Sequence, residues 1–156
     1  ERFADDARAA GIDGFLVPDM PPEESAEFET ICRERDLPLI YLVAPTTPPD
    51  RRQSIGERSR GFIYYISLKG VTGARQALAG DLAEGVREMR NHTDLPICVG
   101  FGVSTPEQVK QVAGCADGVI VGSAIVRKLG KLHGDPDWQP KLREFVTPLI
   151  DAAHGK

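Results

Sequence analysis

Long apolar runs are missing from this 156-residue sequence. Its most hydrophobic stretches, Ile97 to Val103 and Gly118 to Val126, fall well short of the roughly 20 residues that a membrane-spanning helix needs. Basic clusters are missing too. The 19 Lys and Arg are scattered among 23 Asp and Glu, the formal charge is −4, and no basic run alternates with aromatics, so nucleic acid is not an expected partner. Cysteine is scarce. Cys32, Cys98 and Cys115 are an odd number at wide spacing with no C-x-x-C, which argues against a disulfide framework or a zinc site and for a reducing, cytoplasmic setting. His92, His133 and His154 recur at no ligand spacing, so no metal is expected. Neither G-x-G-x-x-G nor a Walker-type lysine loop is present, which excludes the usual dinucleotide and nucleoside triphosphate cradles. No signal-peptide pattern opens the chain.

What is present is an alternation. With 41% hydrophobic and 27% charged residues, the composition suits one globular domain over residues 1–156. Short β-rich runs occur at Gly14–Val17, Leu39–Val43, Phe62–Ile66, Ile97–Gly100 and Gly118–Val121, with helix-periodic polar stretches between them. Glu1–Ala10 places Phe3, Ala7 and Ala10 on one face and closes at Gly11. Glu23–Asp36 places Ala26, Phe28 and Ile31 together, and Asp81–Asn91 repeats Leu82, Val86 and Met89. Thr105-Pro106-Glu107-Gln108 is a strong helix start, with Thr as cap, Pro first and Gln three residues after the cap. A short helix is expected from Gly122 to Lys128, a loop from Gly130 to Pro140 and a last helix over Lys141–His154. Leu142, Phe145, Val146, Leu149 and Ile150 should face inward on that last helix, and Pro148 should kink or split it. Cys98 reads as a small core residue.

Apolar strands separated by helices imply a parallel α/β sheet covered on both faces. Two architectures meet that description. One is an open doubly wound sheet. The other is part of a (β/α)₈ TIM barrel, whose eight strands take roughly 250 residues, so that about three strand–helix units would be absent. A helix pattern beginning at the first residue suggests that something precedes it.

Three glycine-containing segments each follow a strand: Gly70-Val71-Thr72-Gly73, Gly100-Phe101-Gly102-Val103-Ser104 and Gly122-Ser123-Ala124. In a parallel α/β fold such segments share the C-terminal face, where ligands bind. Glycine admits a ligand close to the backbone, and the Gly122-Ser123 step also opens a helix, whose first N–H groups favour an anion. Each glycine taken singly serves a turn or cap equally well; the three together point to phosphate. The long, Gly-rich and basic loop Leu68–Gly80 reads as functional, of the kind that often forms a lid, with a disordered surface loop as the alternative. Tyr64 and Tyr65 are strand neighbours and must point to opposite sides; the interior one either donates a hydrogen bond near a substrate or packs with its hydroxyl satisfied, and periodicity favours packing. Asp19 is either catalytic or a cap for the helix start at Pro21–Pro22.

The segment from Leu16 through Val17-Pro18-Asp19-Met20-Pro21-Pro22-Glu23-Glu24 to Ser25 resembles strand four of the tryptophan synthase alpha chain. Tyr64-Tyr65-Ile66-Ser67 followed by Gly70-Val71-Thr72-Gly73 resembles that family's strand six and mobile loop. The stretches Gly100–Val109 and Gly118–Val126 are similar to its phosphate-binding segments. The likeness runs from about Phe3 to the C-terminus.

The resemblance implies a partial TIM barrel of about five parallel strands. It also implies a lyase that cleaves indole-3-glycerol phosphate to indole and glyceraldehyde 3-phosphate without a metal. A pyridoxal-phosphate-dependent beta subunit would receive the indole in an alpha2beta2 assembly, so no cofactor is expected in this chain. By motif, Gly73, Gly100, Phe101, Gly102, Gly122 and Ser123 would line the phosphate site. Tyr64 would be an auxiliary active-site tyrosine, and Thr72 would orient the catalytic aspartate from the closing loop. The family's catalytic glutamate and aspartate belong to strand two and the loop after it, outside the matched region, so this chain alone is expected to be inactive. An incomplete barrel would also expose two strand edges and an apolar inner face. The competing readings are a non-catalytic phosphate-binding half-barrel and another phosphosugar barrel such as an isomerase or epimerase.

Overall fold

The computed structural model describes residues 1–67, 75–100 and 102–155, with residues 75–79 described by their backbone alone. Among the described residues six short strands lie in order: β1 (Phe15–Leu16), β2 (Leu39–Ile40), β3 (Leu42–Val43), β4 (Ile63–Ile66), β5 (Ile97–Gly100) and β6 (Gly118–Ile120). Every pairing is parallel and joins strands consecutive in sequence: β1 with β2, then β3 with β4, β4 with β5 and β5 with β6. A doubly wound sheet reverses its strand order at a switch point. Here the order never reverses, which is barrel order.

Register divides the side chains into two faces. Val43, Tyr65, Val99 and Val119 are partners across four strands. The first three are fully buried in the main core, and Val119 packs against it. The adjacent row, Leu42, Tyr64, Cys98 and Gly118, points to the opposite face and is only half-buried. Cys98 therefore belongs to the inner face rather than to the core under the helices. Among the described residues β1, β2, β3 and β6 each pair on one side only; β2 and β3 adjoin at Tyr41, which leaves β1 and β6 as the outer edges.

Helices cover the buried face. They are α1 (Arg2–Ala9), α2 (Ala26–Glu34), α3 (Pro49–Arg58), α4 (Arg75–Met89), α5 (Pro106–Ala113), α6 (Ser123–Lys131) and α7 (Trp138–Ala153), with a 3₁₀ turn at Pro22–Glu24. No helix among the described residues is long and apolar enough to cross a membrane.

Several expectations need correcting. The strand expected over Leu39–Val43 is divided at Tyr41, whose ring is buried and whose N–H donates to Ser59 Oγ (3.2 Å) instead of a strand neighbour. The helix expected over Glu23–Asp36 is likewise two pieces meeting at Ser25, and it buries Cys32, leaving Ala26 exposed. On α1 the buried residue is Ala4; Phe3 is exposed and stacks on Phe15 with ring centroids 5.3 Å apart. Helix α4 begins six residues before Asp81, within the expected loop Leu68–Gly80, and Val86 and Met89 are buried as their spacing requires. The expected loop Gly130–Pro140 is shortened from both ends, by α6 and by α7. Pro148 does not split α7, because a core-facing stripe that includes Phe145 and Leu149 holds the helix across it. Ile150, expected inside, is exposed.

Candidate active site

The last register row of the sheet is Ile66, Gly100 and Ile120. Gly102 and Gly122 each follow two residues after a member of that row, so they occupy equivalent places beyond neighbouring parallel strands. Gly102 adopts φ 78°, the left-handed region that glycine enters without penalty. Ser67 joins this end of the sheet by donating its N–H to Gly100 O at 3.2 Å.

Tyr64 rises along the inner face toward the same end. A Cβ placed on Gly100 would lie 2.8 Å from Tyr64 Cζ and 3.0 Å from Ile120 Cβ, and closer still to the Tyr64 hydroxyl. Gly100 thus makes room for the tyrosine, a packing role that the glycine pattern alone did not disclose. Burial pushes the Tyr64 phenol above its ordinary value, so it remains a protonated donor at neutral pH. Tyr65 points the other way, into the helix layer against Gly85. Its hydroxyl is buried without a hydrogen-bond partner among the described residues.

The two helices that follow β5 and β6 begin differently. Helix α5 is closed by its own side chains in a capping box between Thr105 and Gln108. Gln108 Oε1 accepts from Ser104 N (2.7 Å), Ser104 Oγ (3.1 Å) and Thr105 N (3.2 Å). Helix α6 has Gly122 as N-cap, receives no side-chain cap among the described residues, and has no acidic residue in its first turn. Among the described residues nothing lies within 4 Å of a Cβ placed at Gly122. An uncapped first turn presents N–H groups and the positive end of the helix dipole, the standard arrangement for an anion. Ser123 stands at its first position.

Thr72, Gly73 and Phe101, and the Leu68–Ala74 part of the loop, lie outside the described residues. Asp19 is exposed and does not cap the turn at Pro22, whose N-cap is Pro21. With Tyr41, Thr47 and Arg51 it lines a cavity of about 270 Å³ near the ends of β1 and β3. Among the described residues no three His, Cys, Asp or Glu side chains gather to hold a metal.

Two polar assemblies were not legible in the sequence. Tyr41 donates to Glu29 and is hydrogen-bonded to Ser25, while Arg58 Nε donates to Glu29 Oε1 at 2.8 Å and its Nη2 to Ser25 Oγ at 3.1 Å. Burial penalises the Glu29 carboxylate, but bonds from Arg58, Tyr41 and Ser25 outweigh it and hold the carboxyl below its usual range. Tyr41 is pushed up to about 12 by burial and by Glu29. Buried Arg52 donates to Thr47 O and Pro45 O, both at 2.8 Å, and pairs with Glu88. It ties the loop after β3 to α4. The β-rich run Leu39–Val43 was legible, but nothing local announced that Tyr41 within it bonds Glu29 and Ser25.

Residues 1–153 match the family model described as "Tryptophan synthase alpha chain". The chain is 52% identical over 149 residues to the tryptophan synthase alpha chain of Citrifermentans bemidjiense, covering 96% of this chain and 55% of the relative. It is 45% identical over 155 residues to that of Pelobacter propionicus, covering 99% and 58%. The tryptophan synthase subunit alpha of Legionella pneumophila superposes with TM-score 0.85 at 31% identity, covering 99% of this chain and 57% of that one. An open form of tryptophan synthase from M. tuberculosis superposes with TM-score 0.83 at 35% identity, covering 97% and 55%. The chain thus spans little more than half the length of these relatives.

Proposed function

This chain belongs to the tryptophan synthase alpha chain family, and from that premise we propose that it supplies the phosphate-holding half of a lyase acting on indole-3-glycerol phosphate. The observation that carries this reading is the pair Gly102 and Gly122, equally placed beyond neighbouring strands, with α6 opening uncapped beside them. The substrate phosphate sits at that helix start, accepting N–H bonds from the first turn and the Ser123 hydroxyl. Gly100, Gly102, Gly122 and Ser123 line it, joined by Gly73 and Phe101 on the strength of the family motif.

The reaction is a retro-aldol cleavage. A general acid protonates the indole ring at C3, and a carboxylate stabilises the positive charge at the ring nitrogen. A base takes the glycerol hydroxyl proton, and the carbon–carbon bond breaks to give indole and glyceraldehyde 3-phosphate. Tyr64 contributes a protonated hydroxyl on the inner face, and Thr72 orients the catalytic aspartate. The acidic pair itself belongs to family segments that this chain's motifs do not include, so the 156 residues bind phosphate weakly and do not turn over alone. The partner is a beta subunit, which carries the pyridoxal phosphate.

Calorimetric titration of the chain with indole-3-glycerol phosphate and with ribulose 5-phosphate tests this. The first is expected to bind and the second not to, and Ser123→Asp should abolish binding by placing a negative charge at the helix start. Equal binding of the two sugars, or an indifferent Ser123→Asp variant, overturns the assignment.

A further inference from the structure

At the opposite end of the sheet, where β2 and β4 begin, a cavity of about 250 Å³ opens between the ends of α2 and α3. Its apolar lining includes Cys32, Leu37 and Leu39, all buried. Three arginines, Arg33, Arg58 and Arg60, line it as well. Two of them are held in place. Arg58 is fixed by Glu29 and Ser25 yet keeps 27% of its side chain exposed. Arg60 donates to the carbonyls of Glu57 (3.2 Å) and Ser59 (3.0 Å). Arg33 ends α2 in the exposed layer.

Two carboxylates also line the space, Glu29 and Asp36. Glu29 is already engaged by Arg58, Tyr41 and Ser25. Asp36 is exposed, in a left-handed backbone turn with φ 55°. Positive charge is therefore in excess over an apolar floor. Guanidinium forks match carboxylate and phosphate oxygens in a planar, two-pronged geometry. The volume lies below the roughly 300–1,000 Å³ of pockets for drug-sized ligands, which limits the occupant to something smaller.

We propose that this arginine-rimmed cavity is a second ligand site, distinct from the candidate active site, for a small carboxylate or phosphate carried on an apolar body. The apolar body lies on Leu37 and Cys32, and the anionic group meets Arg33, Arg58 and Arg60. The proposal does not depend on the phosphate reading of α6, since the two sites share no residue and lie at opposite ends of the strands.

The test is a nitrogen-15 NMR titration of the whole 156-residue chain with phenyl phosphate and, separately, with benzoate. Benzyl alcohol serves as the uncharged control. The arginine Nε–H signals report this cavity, and the Gly122 and Ser123 amides report the other site. Saturable shifts at the arginine signals with at least one anion, and none with benzyl alcohol, are expected; which anion binds tells carboxylate from phosphate. The double variant Arg33→Ala, Arg60→Ala should weaken binding about tenfold or more, the loss of charge-assisted hydrogen bonds. Both residues are exposed, and the remaining spectrum reports whether the fold persists. Asp36→Asn should tighten binding by removing the opposing charge. Arginine signals that stay still with both anions, or that move equally in the double variant, overturn the proposal. Shifts confined to Gly122 and Ser123 do so too while leaving the active-site reading intact, and a silent Gly122–Ser123 with moving arginines has the reverse meaning.

Discussion

Tyr64 occupies the space that a side chain at Gly100 would need: its Cζ lies 2.8 Å from the position of a Cβ there. The two residues sit on neighbouring strands, two register rows apart and so on the same face, at the end of the sheet where the candidate active site lies. Gly100→Ala should therefore displace the tyrosine and cost about 1–3 kcal/mol in chemical denaturation, the usual range for overpacking. The hydroxyl makes the closest approach, so Tyr64→Phe combined with Gly100→Ala should lose less than the two single variants together. Strict additivity in that double-mutant cycle would show that the ring and the glycine are not coupled.

Tyr65 presents the opposite case. Its buried hydroxyl has no hydrogen-bond partner among the described residues and lies against Gly85 on α4. Removing an unsatisfied buried polar atom removes a desolvation cost. Tyr65→Phe is expected to leave stability within about 1 kcal/mol of the original, or to raise it. A loss beyond about 2 kcal/mol would mean that the hydroxyl is bonded after all.

Gly56 sets two rules against each other. It lies inside α3, where alanine is worth about 1 kcal/mol more than glycine. Yet a Cβ there would stand 3.0 Å from the backbone carbonyl carbon of His92 and still nearer its oxygen. Backbone cannot swing aside as a side-chain tip can. Packing should win, and Gly56→Ala should lower the melting temperature; a rise would show that the Gly56–His92 approach relaxes freely.

The Glu29 assembly makes stability depend on pH from both sides. Glu29 is held below its ordinary 4.5, so its contribution is complete above that value and disappears as pH falls through the lowered one. Asp117, lowered by Arg90 and by the Ile97 N–H, adds to the same acid limb. Tyr41 is raised from 10.0 to about 12, so its contribution is complete below pH 10 and is lost as pH climbs toward 12. Urea midpoints measured against pH should slope at both ends. Glu29→Gln should flatten the acid slope and Tyr41→Phe the alkaline one; unchanged slopes would remove these groups from the account.

Much of this architecture was legible because local and global signals agreed. The apolar runs at Ile97–Gly100 and Gly118–Val121 became parallel neighbours, and the Thr105–Gln108 spacing produced the capping box it implied. Helix α3 escaped notice because Pro49–Arg58 is mostly charged and polar, with Ile55 its one large buried apolar residue. What fixes that helix is instead buried Arg52 and the Gly56 approach, neither of which has a periodic signature. Gly100 was read for ligand approach, but its contact with Tyr64 depends on cross-strand register, which no local spacing encodes.

The interruption at Tyr41 also orders the ways in which the molecule can come apart. Among the described residues the β1–β2 pair shares no ladder with the four strands from β3 to β6, and it is joined to them through the chain at Tyr41, by the Arg60 N–H bond to Leu39 O at 3.1 Å and by side-chain packing. Cooperative opening tends to follow such boundaries. Amide protons of Phe15, Leu16, Leu39 and Ile40 should then exchange with solvent through a lower-energy opening than those of Ile63–Ile66 and Ile97–Gly100. The seam separates a loosely held margin from the part of the sheet that carries Tyr64 and Gly100.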